Sequence, residues 1–572
     1  MFPYDGDLEV LPEDPSTPLF RHLWLGRTNI ANNKMFGGKT KVEAGLRWYE
    51  FGRLTPGKLR TPLSITFAFV ATHNHFVLDR GGKVFNRSAP VIKLPADATE
   101  DDHLALLGLL NSSVGCFWLK QVCQNRGSTV DDRGARQTTI PFEDFYEIGG
   151  GLLKGFAITQ DKPLPLARKL DALARQRDAS LPAALGKELP SILEGWAERQ
   201  DRADLLLRQM ISAQEELDWW CYSAYGLVDN GMLGGGIEKP PIRFGERAFE
   251  VLMARKIRDD AFATTWFQRH GAEPSPDLPS DWPATYADLV ERRIEAIRTN
   301  HEIRLIEKPE FKRRWNVRSW EDQEMQVLRE WLLDRLESHR IWSPGATLLS
   351  VGRIADRLRE EPGAVEVAAL YGGPDVNFVR LVGELLAGEA VPYLAARRYR
   401  DAGLRKRRAW EDVWDLQRRE DRGEDVGDIP VPPKYASADF ASSTTWRLRG
   451  KLDVPKERFI VYPGSERSGD PSPVYGWAGW THLEQAKALA AFYLRMKEDE
   501  GWRSEQLAPL LAGILELEPW IRQWHDSDGG RSGLGAYFAA FVDDEARELG
   551  TTVESVRAWS PEPRGRGRKK RA

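Results

Sequence analysis

The chain has 572 residues, of which 41% are hydrophobic and 29% charged, with a formal net charge of −4; these are proportions of packed globular units, not of a disordered chain. Its 3 cysteines, Cys116, Cys123 and Cys221, supply neither a disulfide framework nor a paired-cysteine zinc ribbon, and they fit a reducing cytosol. The acidic, Pro-bearing start MFPYDGDLEVLPEDP is neither a secretory signal nor a membrane span, and no apolar run approaches the ~20 residues of a spanning helix, so a cytoplasmic protein is expected.

Charge is unevenly placed. Between Arg21 and Pro95 there are 13 Lys and Arg against 3 acidic residues (Glu43, Glu50, Asp79), so a basic segment sits on an otherwise acidic chain. Such a segment suits a localised polyanion contact, or a solvated surface. The 21 tryptophans supply large aromatic anchors for cores or contact surfaces.

In chain order, residues 20–95 read as β-rich. LSITFAFVATHNHFVLD is a β-branched, aromatic run with partial alternation. DRGGKVF, with Gly81 and Gly82, reads as a turn between two strands, and SAPVIKLP as a further extended piece. EDDHLALLGLLNSSVGCFWLKQV predicts one helix, with Asp101 and Asp102 in its first turn. Residues 125–160 read as an irregular, Gly-containing loop. Helix follows from LPLARKLDALARQRDA through LLLRQMISAQEELDWWCYSAYGL, ended by Gly226. GGGIEKPP breaks it, and FGERAFEVLMARKIRDD resumes it.

Later, SWEDQEMQVLREWLLDRLESH predicts a helix, and ATLLSVGRIADRLREEPGAVEVAALY two short ones. RRYRDAGLRKRRAWEDVWDLQRREDRGED is a second basic cluster. Its Trp410 and Trp414 share a helix face, a spacing that fits core better than a nucleic-acid surface. STTWRLRGKLDVPKERFIVYPG reads as strands and GWTHLEQAKALAAFYLRMKEDEGW as helix. The tail PRGRGRKKRA reads as disordered and suited to non-specific phosphate contact.

Chemistry-bearing motifs are scarce. An amino-methyltransferase needs a Gly-rich cofactor loop and an Asn/Asp-Pro-Pro-aromatic tetrapeptide. KPPI at 239–242 lacks both the polar first residue and the aromatic last one. EIGGGLLKG (147–155) and LYGGPD (370–375) follow no convincing buried strand, and the first lacks a P-loop ending. For a PD-(D/E)xK nuclease, Asp375 with Glu384 comes nearest, but Leu386 stands where the lysine belongs. The consecutive His73-Asn74-His75 is not an HNH nuclease signature, whose three residues come from separate parts of a ββα-metal unit. On a strand, His73 and His75 would share one face, with no third metal ligand nearby.

RTPLSITFAFVATHNHFVLDRGGKVFNRSAPVIKLP followed by LALLGLLNSSVGCFWLKQVCQNRG resembles the target-recognition region of the PglX family, the adenine-specific DNA methyltransferases of phage-growth-limitation (BREX type 2) defence systems. QEELDWWCYSAYGL, FGERAFEVLMARK, LIEKPEFKRRW, LREWLLDRLE, the 391–421 segment, IPVPPKYASADF, WRLRGKLDVPKERFIVYPG and GWAGWTHLEQA resemble the rest of that family's C-terminal part. The resemblance implies that the catalytic domain belongs upstream and that Met1 falls inside a usually longer chain. The segment GSTVDDRGARQTTIPFEDFYEIGGGLLKGFAITQDKPLPL departs from the family pattern, which leaves the DNA site open.

The expected fold is therefore α+β. A small β-rich target-recognition domain (1–160) would precede a helical connector (161–260), a helical domain with the basic Arg/Trp segment (261–425), an α/β domain (426–560) and a basic tail (561–572). The expected role is DNA recognition and scaffolding for an adenine-N6-specific methyltransferase, inactive alone, with duplex DNA, a catalytic half and other defence proteins as partners. No metal and no cofactor is expected in this chain, S-adenosylmethionine belonging to the catalytic half. A complete methyltransferase with divergent motifs, or a protein-interaction platform without DNA contact, are the alternatives. Arg47, Trp48, Tyr49, Arg53, Arg60, His73, Asn74, His75, Arg80, Lys83, Asn86 and Arg87 are the candidate DNA-contacting residues, being of types that hold phosphates or read base edges.

Overall fold

A computed structural model describes residues 2–128, 140–184, 196–261, 263–315, 318–450, 456–526 and 533–561. The chain divides into two units, one of residues 55–324 and the other of 1–54 together with 325–572. Helices predominate, with small antiparallel sheets early and a mixed sheet late, so the α+β expectation holds. The last eleven residues of the basic tail lie outside the described residues.

In the unit 55–324, strands β1 (Ser64–Phe67), β3 (Phe76–Asp79) and β4 (Val91–Ile92) form an antiparallel sheet in the order β3-β1-β4. Ile65 faces Leu78 and Phe67 faces Phe76 across β1–β3. These four are buried and pack on Leu104, Leu109 and Leu110, while Val77 between them is exposed, the alternation of a half-buried sheet. A second antiparallel sheet joins β2 (Val70–Ala71), β6 (Phe145–Glu147) and β5 (Gln124–Gly127), with β6 central.

Three local expectations are corrected here. First, His73-Asn74-His75 is not on a strand but in the connection between β2 and β3. Second, Gly81 and Gly82, at φ +108° and +80°, do not close a hairpin. The partner of β3 is β1, and the chain after Gly82 crosses to pair β4 on the far side of β1. Third, the helix expected over 100–122 is two, Glu100–Leu110 and Ser113–Val122. Ser112 caps the second by accepting from Gly115 N–H, and a Cβ on Gly115 would lie 2.8 Å from the carbonyl oxygens of Leu109 and Leu110, so only glycine permits so tight a corner. The first helix does begin as expected, on a capping box between Thr99 and Asp102.

Downstream, helices Leu164–Ser180 and Trp196–Ala224 pack along each other and against that corner, and Gly226, at φ +74°, follows the second. Ala248–Arg258 and Ala284–Thr299 close a second core around Trp219, Tyr222, Phe249, Trp266 and Tyr286. The 125–160 stretch is less irregular than expected, since it supplies β5, β6 and the short helix Gly150–Leu153. Its strands pair with each other and with β2, a non-local pairing that no local pattern announces.

The other unit holds a four-stranded mixed sheet, β7 (Leu349–Ser350), β10 (Val474–Trp477), β9 (Phe459–Val461) and β8 (Ala390–Pro392), in that spatial order, with only β8 and β9 parallel. Helices His482–Glu498, Ser504–His525 and Leu534–Glu548 pack in succession. Helix Asp401–Asp421 buries Trp410 and Trp414 in a cluster with Trp24 and Trp520, so that pair is core, as its spacing indicated. STTWRLR is a correction: Ser443–Arg449 is a helix, because Ser442 caps it by accepting from Thr445 N–H at 3.1 Å. The following 451–455 lie outside the described residues, and the strand expected in FIV is β9.

Candidate nucleic-acid interface

The basic excess of 21–95 is distributed over both units and is partly committed to structure. Arg27 pairs with Glu420 and Asp421. Lys41 is buried and donates to Glu50 O at 2.7 Å. Lys93 donates to the carbonyls of Thr61 and Leu63. These cations hold the fold.

The candidates before residue 55 belong with the C-terminal unit. Arg47 donates to Leu11 O and to Tyr49 Oη, both at 3.1 Å, and Tyr49 is buried with its hydroxyl donating to Leu11 O at 2.8 Å. Trp48 donates through Nε1 to Glu13 at 3.1 Å. Tyr49 is thus a packing residue that pins 47–49 to the acidic N-terminal stretch. Arg53 is exposed.

The remaining candidates lie in the unit 55–324. Arg60 is exposed just after helix Pro56–Leu59. His73 is buried, with Nδ1 3.2 Å from Thr72 Oγ1. Burial, and then the nearby cations Lys120 and Arg314, push its pKa well down, so its ring is neutral. Asn74 is buried and its Nδ2 donates to Leu110 O at 2.7 Å and Ser112 O at 2.9 Å. It therefore satisfies carbonyls at the corner between the two helices and is not available to a base edge. His75 keeps an exposed edge, yet desolvation and then Arg313 push its pKa down to about 4.

Arg80 is held by two carboxylates: Nε and Nη2 donate to Glu100, and Nη1 and Nη2 donate to Asp171. Four of its five donors are engaged. Lys83, Asn86 and Arg87 stand on the exposed β3–β4 loop. Asn86 Oδ1 accepts from Ser88 N–H at 2.9 Å, and the Arg87 guanidinium lies 5.6 Å above the Phe69 ring. The loop itself is braced against the β1–β2 segment by Phe67 N–H to Pro90 O and Phe69 N–H to Ser88 O. On that loop Lys83 and Arg87 present their charges to solvent without a carboxylate partner among the described residues.

His75 and Arg80 also line a cleft of about 410 Å3 with Arg175, Arg177, Arg313 and Arg314, against only two acids, Asp171 and Asp178. Arg313 lies 4.9 Å over Trp315, its Nε has no hydrogen-bond partner among the described residues, and burial pushes its pKa down to about 10. These basic residues were missed as candidates; the available signal was FKRRW at 311–315, three cations between two aromatics.

The cleft rests on a buried charge network. Lys312 is fully buried, with Nζ 2.9 Å from Asp218, 2.8 Å from Glu307 and 3.3 Å from Glu215. Burial alone would lower its pKa, but the three carboxylates together outweigh that and raise it. Asp218 also accepts from Ser113 N–H at 2.8 Å and Ser113 Oγ at 2.6 Å, so it faces the N-terminus of helix Ser113–Val122. Glu215 is pushed up to about 7, by burial first and then by Glu307 against the pull of Lys312. Arg293 and Glu216 form a second buried pair at 2.7 Å, and Arg247 and Glu250 a third at 2.8 Å.

Residues 210–570 match the family model described as a domain of unknown function, DUF7008. The chain belongs to the DUF7008 family. A DUF7008 chain thus begins its family match inside helix Trp196–Ala224, just before Glu215 and Asp218. The chain is also similar to the adenine-specific methyltransferase PglX of Streptomyces coelicolor, 41% identical over 576 aligned positions that take in 98% of this chain. It spans about half the length of that relative, 47%. No solved structure matches this DUF7008 chain.

A methyltransferase relative raises the question of S-adenosylmethionine, and the Gly-rich stretches do not fit it. Gly149–Gly151 follow the three-residue β6, which is antiparallel to both neighbours, and lead into a helix of four residues. That is not the parallel strand, loop and long helix that present backbone N–H groups to a ligand. Gly372 and Gly373 terminate helix Ala364–Gly372, which is the wrong end of the helix dipole for an anion. Among the described residues no three His, Cys, Asp or Glu are grouped to hold a metal ion, and no helix is long and apolar enough to cross a membrane.

Proposed function

We propose that this chain is the DNA-recognition and scaffold part of a PglX-like adenine-N6-specific methyltransferase in bacterial anti-phage defence. It acts with a catalytic half that carries S-adenosylmethionine and with other proteins of the defence system. The observation that carries this reading is the continuous likeness to PglX along 98% of the chain. Modifying a base amino group inside a duplex requires that the base leave the stack, and a separate module must hold the site while it does. The exposed Lys83 and Arg87, and the arginine-lined cleft beside His75, supply phosphate-holding chemistry for that task.

Fluorescence anisotropy with a labelled duplex tests the proposal. Binding is expected whose logarithmic affinity falls linearly with the logarithm of salt concentration. Absence of salt-sensitive duplex binding at low ionic strength sinks the DNA reading and leaves the protein-interaction platform. Saturable binding of S-adenosylmethionine to this chain alone, measured by calorimetry, favours a complete methyltransferase instead.

A further inference from the structure

The unit formed by 1–54 and 325–572 holds a cavity that the DNA reading does not use. Its volume is about 500 Å3, within the roughly 300–1,000 Å3 of small-molecule sites. Because β8 and β9 run parallel and adjacent, the residues just after them lie side by side. These are Tyr393 and Tyr462, whose rings stack at 4.7 Å and 29° in the cavity wall. Tyr393 is 8% exposed and Tyr462 0%, and neither hydroxyl has a hydrogen-bond partner among the described residues. A third orphan is beside them. Glu457 offers Oε1 to Arg449 Nη2 at 2.7 Å, but its Oε2 is buried and unpartnered among the described residues. Buried polar atoms are nearly always paired, so three orphans around one cavity call for a polar occupant.

Charge and shape narrow that occupant. Arg21, Arg398, Arg407 and Arg449 line the cavity against two carboxylates, Glu457 and Glu516. Arg398 already pairs with Glu516 at 3.0 Å, and Arg407, 4.7 Å over Trp414, pairs with Glu411 at 2.7 Å, so among the described residues Arg21 alone of the four has no carboxylate partner. The positive excess suits an anion. Trp480, Trp520 and Trp524 add flat aromatic walls, and His482 stacks on Trp520 at 5.6 Å and 19°. Aromatic walls suit a planar ring, and the free Glu457 oxygen needs an N–H or O–H donor.

The geometry points to a binding site for a nucleoside phosphate. The phosphate meets the arginine excess, the base lies among the tryptophan and tyrosine rings, and a base amino or sugar hydroxyl group donates to Glu457 Oε2. The tyrosine hydroxyls complete the polar contacts. This site is independent of duplex binding, which rests on residues of the other unit.

Calorimetry on the full chain with AMP, GMP, adenosine and inorganic phosphate tests it. At least one mononucleotide is expected to bind saturably, with adenosine alone and phosphate alone each weaker by about tenfold or more. Tyr393→Phe, which keeps the ring and its stacking, and Arg449→Gln are each expected to weaken that mononucleotide by about tenfold. The proposal is overturned if no mononucleotide binds at millimolar concentration, if phosphate alone binds as well as the nucleotide, or if Tyr393→Phe leaves affinity unchanged.

Discussion

Asn111 pairs with Phe76 as a neighbouring strand would. Its Oδ1 accepts from Phe76 N–H at 3.0 Å and its Nδ2 donates to Phe76 O at 2.9 Å. One side chain thereby supplies a whole rung of ladder to the start of β3, directly after the His-Asn-His stretch. Asn111→Ala removes both partners. The expected loss is about 2 kcal/mol, read by urea denaturation, with faster hydrogen exchange at the Phe76 amide. An unchanged Phe76 exchange rate contradicts this role.

The buried Lys312 is the sole cation within ion-pair distance of Asp218, Glu215 and Glu307 among the described residues. Lys312→Met leaves these carboxylates together without it. A destabilisation of about 3–5 kcal/mol is expected. A loss below about 1 kcal/mol by denaturant titration means that the network rearranges at little cost.

Glu215 gives that network a pH signature. Its folded pKa of about 7 exceeds the ~4.3 of an unfolded glutamate. The folded chain therefore keeps a proton that the unfolded chain releases above ~4.3. This contribution is fully present below that value, declines as pH rises, and is gone above about 7, a difference of about 4 kcal/mol. Glu215→Gln removes the titration. The melting temperature of the variant minus that of the parent should rise between pH 5 and pH 7.5; a difference that does not vary with pH refutes the assignment.

On DNA, Lys83 and Arg87 should separate from Arg80. Lys83→Glu with Arg87→Glu is expected to weaken duplex binding and reduce the salt slope by about 2, roughly 0.9 for each phosphate no longer neutralised. Arg80→Ala, which strips Glu100 and Asp171 of their partner, should lower the melting temperature and leave the slope nearly unchanged. Equal slopes for the double variant and the parent remove the β3–β4 loop from the interface.

The sequence reveals some layers of this molecule more readily than others. Long periodic helices such as Trp320–Leu336 and His482–Glu498, the capping box at Thr99, and the burial of Trp410 and Trp414 follow from local pattern. The β2–β6 pairing was invisible because its partners are separated by more than seventy residues, and β5 joins β6 across an intervening loop rather than a tight turn. The candidate residues were legible in type but not in placement. His73, Asn74 and Arg80 have the chemistry of groove readers, yet Asn74 and Arg80 spend it on Leu110, Ser112, Glu100 and Asp171. A string of letters does not distinguish a polar group aimed at solvent from one that caps a carbonyl. The same blindness hid Arg313 and Arg314, whose place beside His75 comes from tertiary structure.

The bond between Ser113 and Asp218 spans the point where the family match begins, since Asp218 lies within 210–570 and Ser113 upstream of it. A gene exchange spliced at residue 210 would separate a helix N-terminus from the carboxylate that anchors it. Viable recombinants must carry a compatible serine-bearing corner on the incoming side. The folded unit therefore overruns the family's start, and a segment exchanged between relatives should leave 111–113 in place.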